Sequence, residues 1–375
     1  MAEVSVLWAK RLFFFRLSLA ITAERKKMNN SYYGGCDPPI PWIGGKTSLL
    51  PIIKRIVPKD INRFADVFGG GGSVSLSKKY APVQIYNDLD YGLFNFMHTL
   101  RDRSDELISR ITGVFKADGS VNEDFPNIYY INSRRDFEIA YTIFNYSDDL
   151  VKMHGQYSKI LNSAKTDEEK KGSVIMVTEM VRTLDARVKD VQLWDATFFY
   201  ILTKGSFSAT RESWAIKPIN PDSVVNVLNR AAYGLRGLIL ENKDCFDLID
   251  YVDDPMSAVY TDPPYVKAEA LYTGVPLFNE ELHKRLHDRL LKCKCRVLIS
   301  YNDCPYVNDL YSEPVWDKIH TDRSHNMSMQ TGEGKRYKEI LIANYGINEL
   351  YNFNRQTTLF DDYYPMKEKG RIILP

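Results

Sequence analysis

Two consecutive prolines directly after an apolar run fix where a strand must end. In Val259-Tyr260-Thr261-Asp262-Pro263-Pro264-Tyr265, residues 257–260 read as a short buried strand. Pro263 and Pro264 lack N–H groups and have fixed φ, so no ladder continues through them. The chain therefore stops at the carboxyl end of a strand, where open α/β sheets place their ligands. The stiff turn holds Asp262 and Tyr265 at a set separation, beside backbone carbonyls that no local N–H claims. A carboxylate, a carbonyl and a ring face suit a flat heterocycle bearing an exocyclic amine. The oxygens accept the amine hydrogens and the ring stacks. A polar strand end with a proline-rich turn accounts for the same residues, so other segments must decide.

Upstream, residues 62–68 read as a strand that runs into Gly69-Gly70-Gly71-Gly72, with residues 73–79 opening a helix. Strand, glycine turn and helix is a nucleotide-binding arrangement, because the backbone can approach a ligand closely. The dinucleotide fingerprint needs a further glycine where Val74 stands, so a pyrophosphate is disfavoured and a smaller nucleoside is not. A second strand, residues 83–86, ends in Asn87-Asp88-Leu89-Asp90. A carboxylate there is placed to accept ribose hydroxyls; an Asx turn or helix cap is the alternative for Asp88. Earlier still, Pro41-Trp42-Ile43-Gly44-Gly45-Lys46-Thr47 resembles a phosphate loop, but Ile40 occupies the position of its first glycine. The alternative is a ligand-facing loop with Trp42 as a flat wall and Lys46 as a charge. Residues 49–57 follow as a helix.

The chain has 375 residues, enough for one large domain or two smaller ones. A hydrophobic content of 44% with 26% charged residues is that of a soluble globular protein. The net charge of +1 means that any nucleic-acid surface must be a local patch. Five cysteines without regular spacing fit a reducing cytoplasm, and Cys293-Lys294-Cys295 lacks the spacer of a zinc site. His283 and His287 share a helix face without a third ligand, so no metal site is expected. Residues 101–224 lack βα alternation and read as an insert. Within it, 198–214 runs from an apolar stretch into a loop carrying Lys204, Phe207, Ser208 and Arg211. Basic groups around an aromatic suit phosphate contact plus a wedge between bases. A solvated hairpin with a buried Phe207 is the equal alternative. Past the insert, strands are expected at 238–241, 296–300 and 337–343, with a helix capped by Asn279.

In this order the motifs resemble the Dam-type, alpha-order N6-adenine DNA methyltransferases of bacteria and phages. The matching stretches are residues 41–46, Asp66-Val67-Phe68-Gly69-Gly70-Gly71-Gly72, Asp88, Asp262 to Tyr265, and Ser300-Tyr301-Asn302-Asp303. The resemblance implies an α/β, Rossmann-like S-adenosylmethionine-dependent methyltransferase sheet with an inserted, mostly helical target-recognition domain. Residues 38–100 and 225–347 would form the catalytic domain, 101–224 the insert, 348–375 a tail and 1–37 an extension. Residues 1–27 are expected not to be native, since Met28 is an alternative start. The resemblance places S-adenosylmethionine against Trp42, Lys46, Asp66, Phe68, Gly70, Gly72, Asp88, Asp244 and Asp262. It places the target adenine of double-stranded DNA against Asp262, Pro263, Pro264 and Tyr265, and DNA against Lys204, Phe207, Ser208 and Arg211. Two departures weaken any reading of the target sequence: Pro41 stands where a basic residue is usual, and Ser208-Ala209 where Asn-Gly is usual. The rival readings are N4-cytosine methylation and a DNA-binding relative without activity. A cognate restriction endonuclease is an implied partner, no membrane is involved, and the location is cytoplasmic.

The tail carries Gln356-Thr357-Thr358-Leu359-Phe360-Asp361, which resembles the short peptide that docks replication and repair proteins on the bacterial sliding clamp. Leu359 and Phe360 would fill an apolar pocket while Gln356 adds a directional hydrogen bond. A peptide of residues 352–364 is expected to bind purified clamp at micromolar strength and to lose binding on Leu359→Ala with Phe360→Ala. Absence of binding by the unmodified peptide ends the idea.

Overall fold

The computed structural model describes residues 35–112, 134–215, 221–268, 275–324 and 336–352. The tail motif with Gln356, Leu359 and Phe360, and residues 1–34, lie outside that set. Among the described residues, strands β1 (Arg63–Asp66), β2 (Val83–Asn87), β3 (Ile239–Glu241), β4 (Ser257–Thr261), β5 (Arg296–Asn302), β6 (Asp317–Ser324) and β7 (Arg336–Ala343) build one sheet. Its order is β3-β2-β1-β4-β5-β7-β6. The first five strands are parallel, and β7 runs antiparallel between β5 and β6. Strand order reverses between β1 and β4, which opens a crevice at their carboxyl ends. Register aligns Asp66 with Tyr86 and Tyr260. The glycine turn after β1, Asp88 after β2 and Asp262 after β4 therefore share one edge.

Alternation along the strands covers both faces. Phe64, Tyr260 and Leu298 point to the side of α1 (Leu50–Ile56). Ala65, Ile85, Val259 and Val297 point to the opposite side. Strand β4 is buried at every position, as a central parallel strand must be. Helices α2 (Tyr91–Asp102) and α3 (Ser104–Thr112) follow β2 and pack around Tyr86.

The insert contributes α4 (Arg134–Tyr146), α5 (Leu150–Ser163), α6 (Asp167–Lys189) and α7 (Val191–Gly205). Thr166 and Glu169 form a reciprocal capping box that starts α6. Helix α7 is buried around most of its circumference because it belongs to two cores. Its Phe198 and Leu202 pack with Phe137, Ile143 and Met180 of the insert. Its Phe199 and Tyr200 join Tyr86 and Phe96, along with Leu228 of α8 (Pro221–Leu235). Arg103 bridges Glu106 and Asp190, tying the start of α7 to the turn between α2 and α3. The other face of the sheet is covered by α9 (Cys245–Val252), α10 (Glu280–Leu290) and α11 (Pro305–Leu310). Asn279 caps α10 as expected, accepting the Leu282 N–H. No helix among the described residues is long and apolar enough to cross a membrane.

Two elements differ from the sequence reading. Residues 73–77 form successive turns, and no helix runs over 73–79. Serine side chains there make local and tertiary bonds: Ser77 Oγ donates to the Val74 carbonyl, which a helix would need, at 2.8 Å, and Ser75 Oγ donates to the Asp66 carboxylate at 2.7 Å. Strand β6 is additional. It is a polar edge strand paired on one side only, so it lacks the apolar run that marks β4.

The glycine turn is fixed by what surrounds it. A Cβ on Gly69 would lie 2.3 Å from Cε2 of Tyr86, a fully buried ring whose hydroxyl donates to the Gly70 carbonyl at 2.7 Å. Gly69→Ala is expected to destabilise the protein by roughly 1–3 kcal/mol through overpacking. Urea unfolding with an unchanged midpoint would contradict this.

Candidate active site

The sheet edge opens into a cleft of about 1050 Å³ counted to its mouth. Trp42, Asp66, Phe68, Gly70 and Asp88 line one end, and Asp262 and Pro264 the other, with Lys46 between. Ala209 to Arg211, with Val275, Pro276 and Phe278, close the remaining sides. Of the predicted residues, the cleft thus gathers Trp42, Lys46, Asp66, Phe68, Gly70, Asp88, Arg211, Asp262 and Pro264. Gly72, Asp244, Pro263, Tyr265, Lys204 and Phe207 do not line it; the Ser208 side chain lies outside the described set.

At the glycine end, Gly70 has φ of 51° and Gly72 of 81°, a region that side chains rarely adopt. The Trp42 indole lies directly on this turn: a Cβ on Gly70 would meet Trp42 Cδ1 at 2.7 Å. Asp88 is aimed by its own backbone neighbourhood. Gly70 N–H donates to Oδ2 and Asp90 N–H to Oδ1, both at 2.9 Å. Burial pushes Asp88 up to about 6 even though these two N–H groups favour its charged form. Asp66 is pushed up to about 7, chiefly by burial. Its Oδ2 accepts from Ser75, while Oδ1 is buried with no hydrogen-bond partner among the described residues.

At the proline end, Lys46 Nζ lies 2.6 Å from Asp262 Oδ2, with the two side chains 3% and 16% exposed. Ser300 donates to Asp262 Oδ1 at 2.8 Å and receives the Tyr260 hydroxyl at 2.8 Å. Burial raises the proton affinity of Asp262, and Lys46 and Ser300 oppose it. Tyr265 sits behind Lys46, whose Nζ is 4.8 Å from the ring centroid. The Tyr265 hydroxyl donates to Glu339 Oε1 at 2.9 Å. The Lys46 ammonium thus occupies a point that faces both a carboxylate oxygen and an aromatic ring.

The insert reaches the cleft through residues 205–215. An antiparallel bridge of Ser206 with Trp214 and a short 3-10 turn, Phe207–Ala209, shape this hairpin. Phe207 is 68% exposed, which removes the reading of a hairpin with a buried Phe207. Arg211 departs from the expected outward phosphate contact. It has φ of 66°, is 14% exposed, pairs with Asp90 at 3.0 Å and lies over Phe199 and Trp42. Lys204 is half-buried in the last turn of α7. Asp244 is exposed and caps α9 through the Phe246 N–H at 2.9 Å.

A sequence model of the D12 class N6 adenine-specific DNA methyltransferases matches residues 42–198, from Trp42 through most of the insert. Over that stretch the chain is similar to this class. Relatives extend the likeness beyond that range. A type II methyltransferase of Lactococcus lactis subsp. cremoris, M1.LlaDCHI, is 26% identical over 319 residues, covering 82% of this chain and 95% of the relative. The type II methyltransferase M2.HphI of Haemophilus parahaemolyticus is 23% identical over 256 residues, covering 66% and 70%. The modification methylase StsI of Streptococcus sanguinis is 44% identical over 52 residues, covering 14% of this chain and 8% of the relative.

The structure adds cleft and support residues that the sequence motifs did not assign. Asp90 pairs Arg211, Ser300 holds Asp262, Phe278 meets Phe68 edge-on with centroids 5.7 Å apart, and Glu339 holds Tyr265. Asp90 and Ser300 stood inside motifs already recognised. Glu339 had one signal, a carboxylate directly before the apolar run 340–343 of β7. Away from the cleft, donor atoms of Asp253, Cys293 and Cys295 lie within 4.8 Å of one another. Arg289 spans them, 3.1 Å from both Cys293 Sγ and Asp253 Oδ2, so a guanidinium holds that corner.

Proposed function

We propose that the glycine end of the cleft holds S-adenosylmethionine and the Asp262 end receives an adenine flipped out of double-stranded DNA. The observation that carries this is one cleft with two unlike ends. A glycine turn with Asp88 and the unpartnered Asp66 oxygen lies at one, and Asp262 with Pro264 at the other. The residues fit the cofactor. Asp88 is oriented to accept ribose hydroxyls, Asp66 Oδ1 suits an ammonium, and Trp42 with Phe68 supplies flat apolar walls. When bound, the cofactor supplies an electrophilic methyl group on a sulfonium.

The residues of the chain do the rest. The amine of adenine is a weak nucleophile, since its lone pair is conjugated into the ring, and it is out of reach inside a duplex. Asp262 and the Pro263 carbonyl would accept its two hydrogens and so localise the lone pair. Tyr265 would stack on the base once Lys46 moves aside. The raised proton affinity of Asp262 suits it to take the proton that the methylated nitrogen sheds. Such catalysis is positioning and electrostatics. The exposed Phe207, with Ser208 and Lys204, would meet DNA, whereas Arg211 would do so only by leaving Asp90. A nuclease of the same specificity and the sliding clamp are the partners proposed beyond DNA.

Asp262→Ala is expected to reduce methyl transfer at least a hundredfold while cofactor binding persists. It should also lower thermal stability, because Lys46 is left buried without its carboxylate. Turnover close to that of the unmodified enzyme refutes the mechanism.

Asp88 makes cofactor binding depend on pH. Its ionised form accepts the hydroxyls, and its pKa in the free protein is about 6. Affinity should therefore fall from pH 8 to pH 5 by at least about tenfold, as Asp88 protonates and Asp66, pushed up to about 7, protonates before it. Asp88→Asn should bind weakly at every pH. Calorimetry giving equal affinity at pH 5 and pH 8 for the unmodified protein rules this role out.

A further inference from the structure

Strand β7 places one carboxylate where its burial is costly. Residues 340–343 are fully buried and apolar, and Glu339, immediately before them, is only 3% exposed. A buried carboxylate is costly unless it holds a partner. Register sets Glu339 between Asn302 of β5 and Thr321 of β6. From there Oε1 accepts the Tyr265 hydroxyl at 2.9 Å. Glu339 is buried in the sheet and meets Tyr265 through its hydroxyl, so it acts through that ring. It nonetheless shares the low-dielectric surroundings of Asp262, whose proton affinity it helps to raise.

We propose that Glu339 is a positioning residue for methyl transfer: by accepting the Tyr265 hydroxyl it fixes the plane of the ring on which the target base stacks. The inference rests on the reading of Tyr265 given above. Tyr265 follows a rigid Pro-Pro pair, so its backbone is set, but its ring can still turn about χ1 and χ2. Neighbouring groups constrain it without direction. Lys46 covers one face, and the Tyr301 ring lies 6.1 Å away at a tilt of 33°. The bond to Glu339 is directional, and its acceptor stands on a strand paired on both sides. Ring orientation is thereby referred to the sheet rather than to the loop that follows.

The test compares Glu339→Leu, Glu339→Gln, Tyr265→Phe and the double variant Tyr265→Phe with Glu339→Leu. Steady-state methylation of unmodified duplex DNA and cofactor affinity by calorimetry are measured on the full chain. Glu339→Leu is expected to lower kcat at least tenfold with cofactor affinity within twofold of the unmodified protein. Glu339→Gln, which keeps a carbonyl acceptor, should recover most of that loss. Tyr265→Phe should lose about as much as Glu339→Leu, and the double variant no more than either. Unmodified kcat in Glu339→Leu, a Gln variant as impaired as the Leu variant, or multiplicative losses in the double variant overturn the proposal. Should Glu339→Leu fail to fold, Tyr265→Phe decides: full activity there also overturns it. Tyr265→Ala separates the two layers. If it retains turnover, the stacking role of Tyr265 fails; if it is inactive while Glu339→Leu is normal, only the role of Glu339 fails.

Discussion

The site depends on one buried ion pair, Lys46 with Asp262. A charge taken out of water costs several kcal/mol unless it is matched, so neither partner can sit at this depth alone. Their pairing joins two distant segments, the loop after Pro41 and the end of β4. That loop also carries Trp42, whose indole rests on the glycine turn after β1. The turn in turn donates the Gly70 N–H to Asp88 after β2. Three strand ends are thus fastened to one another across the crevice, and the glycines are required because a Cβ would separate indole from turn. The geometry of the cleft follows from charge matching and close backbone approach more than from any single helix.

The insert is fastened to the same place. Helix α7 belongs to both cores, and the hairpin after it sends Arg211 inward to Asp90 and Phe207 outward to solvent. Asp90 also caps α2 through the Leu93 N–H. The exposed tip and the wall of the cleft are therefore parts of one short loop, only four residues apart between Phe207 and Arg211. A change in either must be accommodated by backbone that already holds Ala209 and Arg211 at positive φ.

Much of this was legible in the sequence where local rules dominate. Prolines end β4 at Asp262, glycines mark the turn after β1, and Asn279 caps its helix, because each depends on residues adjacent in the chain. What was not legible depends on tertiary partners. Nothing near Ser75 in sequence says that its hydroxyl will serve Asp66 instead of letting a helix form. Arg211 reads as a surface cation until Asp90, far earlier in the chain, is brought to it. Strand β6 lacks a pattern because one side of it is unpaired. Asp244 occupies a strand end like Asp88, yet a cap at α9 claims its carboxylate; the two are distinguished only by which neighbouring N–H groups reach them.

The charges of the cleft are unbalanced, and this bears on what it accepts. Asp66, Asp88 and Asp262 line it, and burial raises the proton affinity of all three. Lys46 matches Asp262, while Arg211 is engaged with Asp90. Asp88 is held by two N–H groups with only a lesser contribution from Arg211, and Asp66 has an oxygen without a hydrogen bond. In such surroundings a cationic ligand is favoured over an anionic one, because it supplies charge that the protein withholds. A nucleoside bearing an ammonium and a sulfonium meets that demand, whereas a nucleotide with phosphates would add to the excess of negative charge. The absence of a further glycine at Val74 points the same way from backbone geometry, and the two arguments are independent.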